Sequence, residues 1–298
     1  MLHLEIAVAP EQVRTLADLN LLEARIGFDK GAVLSRFPAK WYAQVAQHLA
    51  GQDGHVDRIT EKLKRIKESR LVGFGRAFDG DSWGAAAQRS HQVQPFHRVV
   101  DGVSNERPHF INDLQLMDDV DFQYQTQYPR DAQSLAKAAR ALLTDAEDAE
   151  KVTVFDNYIC STKPGCVQTL TQMMQSCTKT EVEFHVFAKE DENKPRRSER
   201  EQALDDLKAH IPAHVKLYWY WLDDNGSGHL HQRGIFTAKG GLIYDRGFEE
   251  PNNHLQRAVL TNITPMPQTM LETKARDFNP AQLSPPLALV GMPWQSHP

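Results

Sequence analysis

The chain has 298 residues, with 34 lysines and arginines against 39 aspartates and glutamates, so its formal net charge is −5. That balance argues against a generally basic protein that coats nucleic acid, although it permits a local basic site. The length suffices for one large or two ordinary domains that need no disulfide or metal for stability.

The first 150 residues predict an N-terminal α+β domain. A strand is expected over residues 4–9, helices over residues 11–23, after Phe37-Pro38, over 55–70 and from Ser82 to Ser90, and strand-like pieces at 96–100 and 109–111. The helix over 55–70 is basic, and a solvated outer face is the commoner role of such a helix. The N-terminus lacks the basic start of a signal peptide, and no window of 18 apolar residues predicts a transmembrane segment.

An alanine-rich helix is predicted over residues 129–150, and it ends in the acidic run 145–150. Acidic side chains at a helix C-terminus oppose the helix dipole, so we expect this end to fray. The sequence therefore predicts a domain boundary near residue 150. A second domain over 151–279 and a proline-rich tail over 280–298, lying on the surface or loosely ordered, complete the organisation.

The second domain alternates strands and helices. Strands are predicted over 151–159, 182–188 and 215–222, with helices over 166–177 and 200–210 between them. This order predicts parallel βαβ units, and so an α/β fold with a mixed, largely parallel sheet flanked by helices. A hairpin of 234–237 and 241–244 is expected around Lys239-Gly240.

The three cysteines lie close together in this domain. Cys160, Cys166 and Cys177 form no Cys-x-x-Cys pair, so a zinc site has little support. Free cysteines of this kind are typical of buried apolar positions in a reducing compartment, which predicts a cytoplasmic protein.

One segment, residues 229–248, concentrates histidine, arginine, lysine and glycine after the third predicted strand. Binding sites in open α/β sheets lie beyond the carboxyl ends of the strands. His231 and Arg233 are two residues apart, so on a strand they would share a face, where an imidazole and a guanidinium suit a phosphate group. His229, Lys239 and Arg246 are further candidate phosphate ligands.

This segment resembles the phospholipase D superfamily, whose motif is His-x-Lys followed four residues later by Asp. Here His231-Gln-Arg233 has Arg in the Lys position and Ala238 in the Asp position. The segment is more similar to the phospholipase D-like C-terminal domain of microtubule-interacting-and-trafficking (MIT) domain proteins. That domain carries His-Asp-Arg, a strand with a turn, and then Arg-Gly-Leu-Asp, which Arg246-Gly247-Phe248-Glu249 resembles. The strand with Asp156 and Tyr158 resembles its opening strand, so the likeness covers about residues 150–260.

The resemblance implies a protein that binds or cleaves phosphodiesters such as nucleic acid without a metal or other cofactor. In the catalytic version His231 attacks phosphorus, and Arg233 and Arg246 neutralise the developing charge. Family enzymes bring two motifs together, so a chain with one motif must form a homodimer across the site. His229 or the His231 of a second subunit could serve as the second histidine. The resemblance further implies an accessory component of a bacterial defence system, with a protein partner encoded nearby.

Other hypotheses remain open. The same fold could hold a partner protein or an anionic ligand without turnover. In a purely structural role, His231 would pack against Trp219 or Trp221, and Arg233 would form a salt bridge with Asp245. A metal-dependent enzyme using Asp79, Asp81, His91 and His97 is the third hypothesis, although their spacing matches no metal motif.

Overall fold

The computed structural model describes residues 2–50, 56–103, 107–144 and 151–297. Contacts within the chain divide it into two units, Met1–Tyr124 and Gln125–Pro298. This division falls earlier in the chain than the predicted boundary at residue 150, because strand and helix residues after Gln125 pair and pack within the second unit. The acidic run 145–150, on which that prediction rested, lies outside the described residues.

The first unit alternates short strands with helices. Its elements are β1 (Leu4–Val8), α1 (Leu16–Arg25), β2 (Ala32–Ser35), α2 (Trp41–Leu49), α3 (Val56–Ser69), β3 (Leu71–Val72), α4 (Trp83–Val93), β4 (Arg98–Val100) and β5 (Phe110–Ile111). The strand order is β3-β2-β1-β4-β5, and every neighbouring pair is parallel. The α+β prediction for this part of the chain is therefore wrong, because β2, which the sequence analysis missed, joins β1 and β3 into a parallel sheet.

Both faces of this sheet are covered. Leu4, Ile6 and Val8 of β1 pack in one hydrophobic cluster with α1, α2 and α3, while the alternating Ala7 and Ala9 pack in another cluster with α4. Side chains alternate between the two faces of a strand, so helices lie on opposite sides of the sheet. The first unit is thus a doubly wound α/β sheet.

The start of α1 differs from the prediction. Pro10 begins only a single 3-10 turn, and the α-helix starts at Leu16. The Thr15 hydroxyl accepts a hydrogen bond from the Asp18 N–H (3.2 Å), and the Asp18 carboxylate accepts one from the Thr15 N–H (2.9 Å). This reciprocal capping box satisfies the N–H groups of Thr15 and Asp18, and it sets the first residue of the helix.

The second unit contains one mixed sheet. Its elements are β6 (Gln127–Tyr128), α5 (Ala132–Ala138), α6 (Arg140–Leu143), β7 (Lys151–Asp156), α7 (Pro164–Gln175), β8 (Val182–Lys189), α8 (Arg197–Leu207), β9 (Val215–Asp223), β10 (Gly234–Phe236), β11 (Gly241–Tyr244), α9 (His254–Arg257), β12 (Thr261–Pro265), α10 (Gln268–Asp277), β13 (Ala288–Leu289) and β14 (Trp294–Gln295). Strands β7, β8 and β9 are parallel, and β10, β11, β12 and β6 continue the sheet antiparallel. The predicted mixed α/β sheet with its hairpin is confirmed, but the expectation that it is largely parallel is wrong. Among the described strands two neighbouring pairs are parallel and six are antiparallel, because β10, β11, β12, β6 and both tail strands join by antiparallel pairing.

The core of this sheet is aromatic. On one face Phe155, Phe187 and Phe236 pack in a cluster with Leu271 of α10 and with Leu287, which precedes β13. The tail adds β13 and β14 to the free edge of β9, so this part of the chain is ordered and paired. Among the helices of the described residues, none combines the length and apolar character needed to cross a bilayer.

Candidate anion-binding site

The strands of the second unit bring charged residues to one edge of the sheet. The first residue of β10 pairs with the penultimate residue of β7, so Arg233 and Asp156 lie together at the carboxyl end of β7. The antiparallel strands β11, β12 and β6 return the chain to the same edge, where Arg246 follows β11 and Arg130 follows β6. The carboxyl edge of parallel strands is where open α/β sheets bind ligands.

A pocket of about 200 Å³ lies at this edge. It is lined by four cationic side chains, two carboxylates, a tyrosine and a cysteine: Arg130, Asp156, Tyr158, Lys163, Cys166, Arg233, Arg246 and Glu249. The lining therefore carries a formal excess of two positive charges, in a chain whose net charge is −5. The charge of the pocket lining is therefore opposite in sign to the net charge of the protein, and a positive lining attracts anions.

Arg233 is held along one wall of the pocket. Its Nη1 donates a hydrogen bond to the main-chain carbonyl of Asp245, its Nε lies 3.8 Å from Asp156 Oδ1, and its guanidinium carbon lies 4.7 Å from the centre of the Tyr158 ring. The Nε atom is buried and has no hydrogen-bond partner among the described residues. These contacts orient the guanidinium, but in the described part of the chain no carboxylate forms a hydrogen bond with it.

Asp156 lies beneath the pocket and joins two loops. Its Oδ1 accepts a hydrogen bond from the N–H of Tyr158 (2.7 Å), and its Oδ2 accepts one from the N–H of Phe248 (3.3 Å). Burial raises the pKa of Asp156, although both hydrogen bonds and the positive charge of Arg233 oppose this shift. The carboxylate thus ties the segment after β7 to the segment after β11.

Gly247 permits this close approach. Its φ is +66°, and a Cβ at this position would collide with Asp156 Oδ2 and lie 2.9 Å from Arg233 Cδ. Only glycine adopts this conformation without steric cost and also leaves room for the carboxylate. The Arg246-Gly247-Phe248 segment can therefore lie beside Arg233 because Gly247 has no side chain.

The opposite wall comes from the first turn of α7. Gly165 lies so close to the carbonyl of Glu250 that a Cβ would collide with it, and Lys163, at the N-cap, places its Nζ 2.8 Å from Glu249 Oε2. Burial lowers the pKa of Lys163, but Glu249 outweighs this effect and the net pKa is raised, so the side chain is charged. The N-terminal end of the helix adds a partial positive charge on this side.

Arg130 and Arg246 complete the positive cluster. Burial lowers the pKa of Arg130, and the positive charges of Arg246 and Arg233 lower it further, while Glu249 opposes the shift. The arginines are therefore close enough to repel one another. Arg246 is exposed and forms no hydrogen bond or ion pair with another described residue. An anion at their centre would relieve this repulsion.

The predicted histidines do not line this pocket. His229, His231 and Arg233 all lie between β9 and β10 and not on a strand, so the alternation of side chains along a strand does not place His231 and Arg233 on one face. Leu230, between the two histidines, is buried, and its N–H donates to the buried Asp224 carboxylate (3.5 Å). Both histidines on either side of it are exposed. His229 contacts the hydroxyl of Ser227 (3.2 Å). The catalytic role of His231 stays a prediction.

Lys239 lies at the other end of β10. Phe236 pairs with Thr153 of β7, so the turn that holds Lys239 lies toward the amino end of that strand, whereas Arg233 lies at the carboxyl end. Lys239 is buried in this turn. Of the five predicted site residues, the pocket therefore brings together Arg233 and Arg246 alone.

The other hypotheses have different outcomes. Arg233 contacts Asp245 through its main-chain carbonyl and not through its carboxylate, and His231 is exposed while Trp219 and Trp221 are buried. The metal hypothesis finds no geometric support: the residues that the structure describes contain no group of three or more histidine, cysteine or acidic side chains able to hold a metal. Asp79 instead pairs with Arg89 (3.5 Å).

Cys166 is the one thiol in the pocket lining. All three cysteines are buried and free, as the sequence indicated. Burial raises the pKa of Cys166 to about 12, so the thiol is protonated at neutral pH and is a poor nucleophile. Its role is to pack the first turn of α7.

The sequence analysis missed Arg130 and Lys163. Arg130 precedes β7, outside the segment that carried the resemblance, and reaches the pocket only because β6 pairs with β12. Lys163 carried a recognisable signal, because Pro164-Gly165 after a strand predicts the start of a helix, and such helix starts attract anions.

No family model matches this chain, and no curated protein is significantly similar to it.

Proposed function

We propose that the second unit binds a phosphate group in the pocket of Arg130, Lys163, Arg233 and Arg246, and does not cleave it. The observation that carries this proposal is the convergence of three arginines and Lys163 on one pocket. Burial lowers the pKa of Arg130 there, and the charges of Arg246 and Arg233 add to this effect. Guanidinium groups bind phosphate oxygens through two parallel N–H donors, and they are the preferred protein ligands for such anions.

The residues that line the pocket support binding without cleavage. A phosphodiesterase of the phospholipase D type needs an imidazole as nucleophile. The pocket lining contains no histidine, its thiol is protonated, and Asp156 already accepts two main-chain hydrogen bonds. These features support a binding module over an enzyme.

The relation to phospholipase D-like domains remains part of this proposal. Three parallel strands followed by an antiparallel hairpin support it, as does the meeting of Arg233 with the Arg246-Gly247-Phe248 segment at one pocket. The homodimer, the protein partner encoded nearby and the role in bacterial defence stay predictions.

Titration with inorganic phosphate tests the binding proposal. We expect Arg246→Gln and Arg130→Gln each to weaken binding about tenfold or more, because a hydrogen bond to a charged group contributes about 1.5–3 kcal/mol. Arg276→Gln is the matched control: Arg276 is an exposed arginine of α10 that pairs with Asp277, outside the pocket lining. Equal affinity of the two pocket variants and the wild-type protein would overturn the proposal.

A chromogenic phosphodiester tests the absence of cleavage. We expect no hydrolysis above the buffer rate by the wild-type protein or by His231→Ala. Hydrolysis by the wild-type protein that His231→Ala abolishes would instead establish the enzyme with His231 as its nucleophile.

A further inference from the structure

Tyr158 lies in the pocket lining and is unusually exposed. The residue is 53% exposed, and among the phenylalanines, tyrosines and tryptophans that the structure describes Phe78 is the only other exposed one. Aromatic rings contribute most when they are buried, so an exposed ring beside a binding pocket needs a reason.

The Tyr158 ring lies against the Arg233 guanidinium. The main-chain N–H of Tyr158 donates a hydrogen bond to the buried Asp156 carboxylate (2.7 Å), and the guanidinium carbon of Arg233 lies 4.7 Å from the centre of the ring. A guanidinium that stacks on a ring still presents its N–H donors at its edge, because these donors lie in the guanidinium plane. A phosphate group bound at Arg233 is therefore next to the Tyr158 ring.

The size of the pocket limits what enters it. Its volume of about 200 Å³ is smaller than the roughly 300–1,000 Å³ typical of sites that enclose a drug-sized ligand. A phosphate group fits inside, whereas the remainder of a larger ligand must lie outside, against the rim that Tyr158 forms. The exposed surface of that ring offers stacking to a planar group.

We infer that the ligand is a nucleoside phosphate, with its phosphate in the pocket and its base stacked on Tyr158. This inference rests on the proposed function and names the ligand class for the same site. A sugar between phosphate and base spans the short step from the guanidinium edge to the adjacent ring. A free nucleotide and the phosphorylated end of a nucleic-acid strand share this chemistry.

The test compares the affinity for adenosine 5′-phosphate with the affinity for ribose 5-phosphate, which lacks the base. Base–aromatic stacking contributes about 1–3 kcal/mol, so the wild-type protein should prefer the nucleotide by about fivefold or more. Tyr158→Ala should bring this ratio to about one, and Tyr158→Phe should preserve it, because phenylalanine keeps the ring. Phe78→Ala, which removes the exposed ring of the first unit, should leave the ratio unchanged.

The ratio separates stacking from a supporting role. If Tyr158 only held Arg233 in place, Tyr158→Ala would weaken both ligands equally and leave the ratio intact, which overturns the inference. A ratio near one in the wild-type protein overturns it as well. Failure of ribose 5-phosphate and inorganic phosphate to bind would instead overturn the proposed function itself.

Two further measurements test the stacking directly and identify the source of the nucleoside phosphate. The base protons of bound adenosine 5′-phosphate should shift upfield in NMR spectra with the wild-type protein and with Tyr158→Phe, and unshifted protons would contradict stacking. A short 5′-phosphorylated oligonucleotide distinguishes the two sources: binding at least as tight as that of the free nucleotide identifies a strand end, and weaker binding identifies the mononucleotide. Both results support a nucleoside phosphate.

Discussion

Gly247 controls how closely the Arg246 segment approaches Asp156 and Arg233. Its positive φ and the position of Asp156 Oδ2 impose separate requirements, one on the backbone and one on the space beside it. A change at this position tests both requirements, because it strains the loop and moves Arg246 away from the other cations.

We predict that Gly247→Ala lowers the free energy of unfolding by about 2–4 kcal/mol and weakens phosphate binding. A left-handed backbone costs a non-glycine residue about 1–2 kcal/mol, and the displaced carboxylate and arginine add to that cost. Gly226→Ala is the matched control: φ is +73° there, and a Cβ would meet no atom within 4 Å. Urea unfolding and phosphate titration measure both effects, and equal losses in the two variants would contradict the steric argument.

Residues of the candidate site were predictable where the sequence around them has a recognisable local pattern. Arg233 and Arg246 were found because the segment around them is rich in charge and glycine, and the register of β10 places both at the predicted edge. Lys239 belongs to the same segment but lies at the other end of the hairpin, since antiparallel strands reverse direction. The sequence could not place Arg130, because the two-residue strand β6 has no detectable pattern.

The C-terminal tail completes one edge of the sheet in the second unit. Arg197 of α8 donates hydrogen bonds to the carbonyls of Val290 and Met292, and its guanidinium lies 4.1 Å from the Trp221 ring. Strands β13 and β14 thereby cover part of the edge of β9, which would otherwise present unpaired main-chain groups.

We predict that Arg197→Ala releases this tail. Two charge-assisted hydrogen bonds are lost, so the amides of Val290 and Ser296, which donate to carbonyls of β9, should exchange with solvent about tenfold faster or more. Glu201→Gln removes only the half-exposed partner of Arg197 in α8, and an exposed pair contributes little, so exchange should be unchanged. Phosphate binding should be the same in both variants. Unaltered exchange in Arg197→Ala would show that strand pairing alone holds the tail.

The elements that the sequence predicted best are the longest ones. The series β7–α7–β8–α8–β9 was predicted to within a few residues, because apolar strands and amphipathic helices of that length leave clear periodic patterns. The four-residue β2 was missed, and with it the parallel sheet of the first unit. The tail strands have two residues each, and what orders them is contact with β9 and Arg197, which no local pattern records.

Each of the two units contains a buried histidine that is neutral. In the first unit, His3 donates from Nε2 to the carbonyl of Phe28 (3.1 Å), while its Nδ1 is buried without a partner in the described residues, and burial lowers its pKa to about 4. In the second unit, burial and the charge of Lys151 lower the pKa of His185 to about 4. Protonating either ring would place a charge in the interior.

The sign of the effect follows from the proton balance. An unfolded histidine binds its proton near pH 6.5, whereas the folded ring binds it only near pH 4, so the unfolded state takes up more protons between these values. Each histidine thus contributes stability that is fully present above about pH 6.5 and is lost as the pH falls toward 4. A shift of this size corresponds to about 3 kcal/mol for each ring.

We predict that both units lose stability between about pH 6.5 and pH 4, and that His3 and His185 each contribute to the loss in their own unit. Hydrogen exchange of separate peptides measures the units individually. His3→Gln should flatten the pH dependence of peptides from β1 and β2 but not of those from β7 and β8, and His185→Gln should do the reverse. His210→Gln, at an exposed position, should change neither. If the acid sensitivity of β1 survives in His3→Gln, the protons that destabilise the first unit bind elsewhere, and the buried Nδ1 is not its cause.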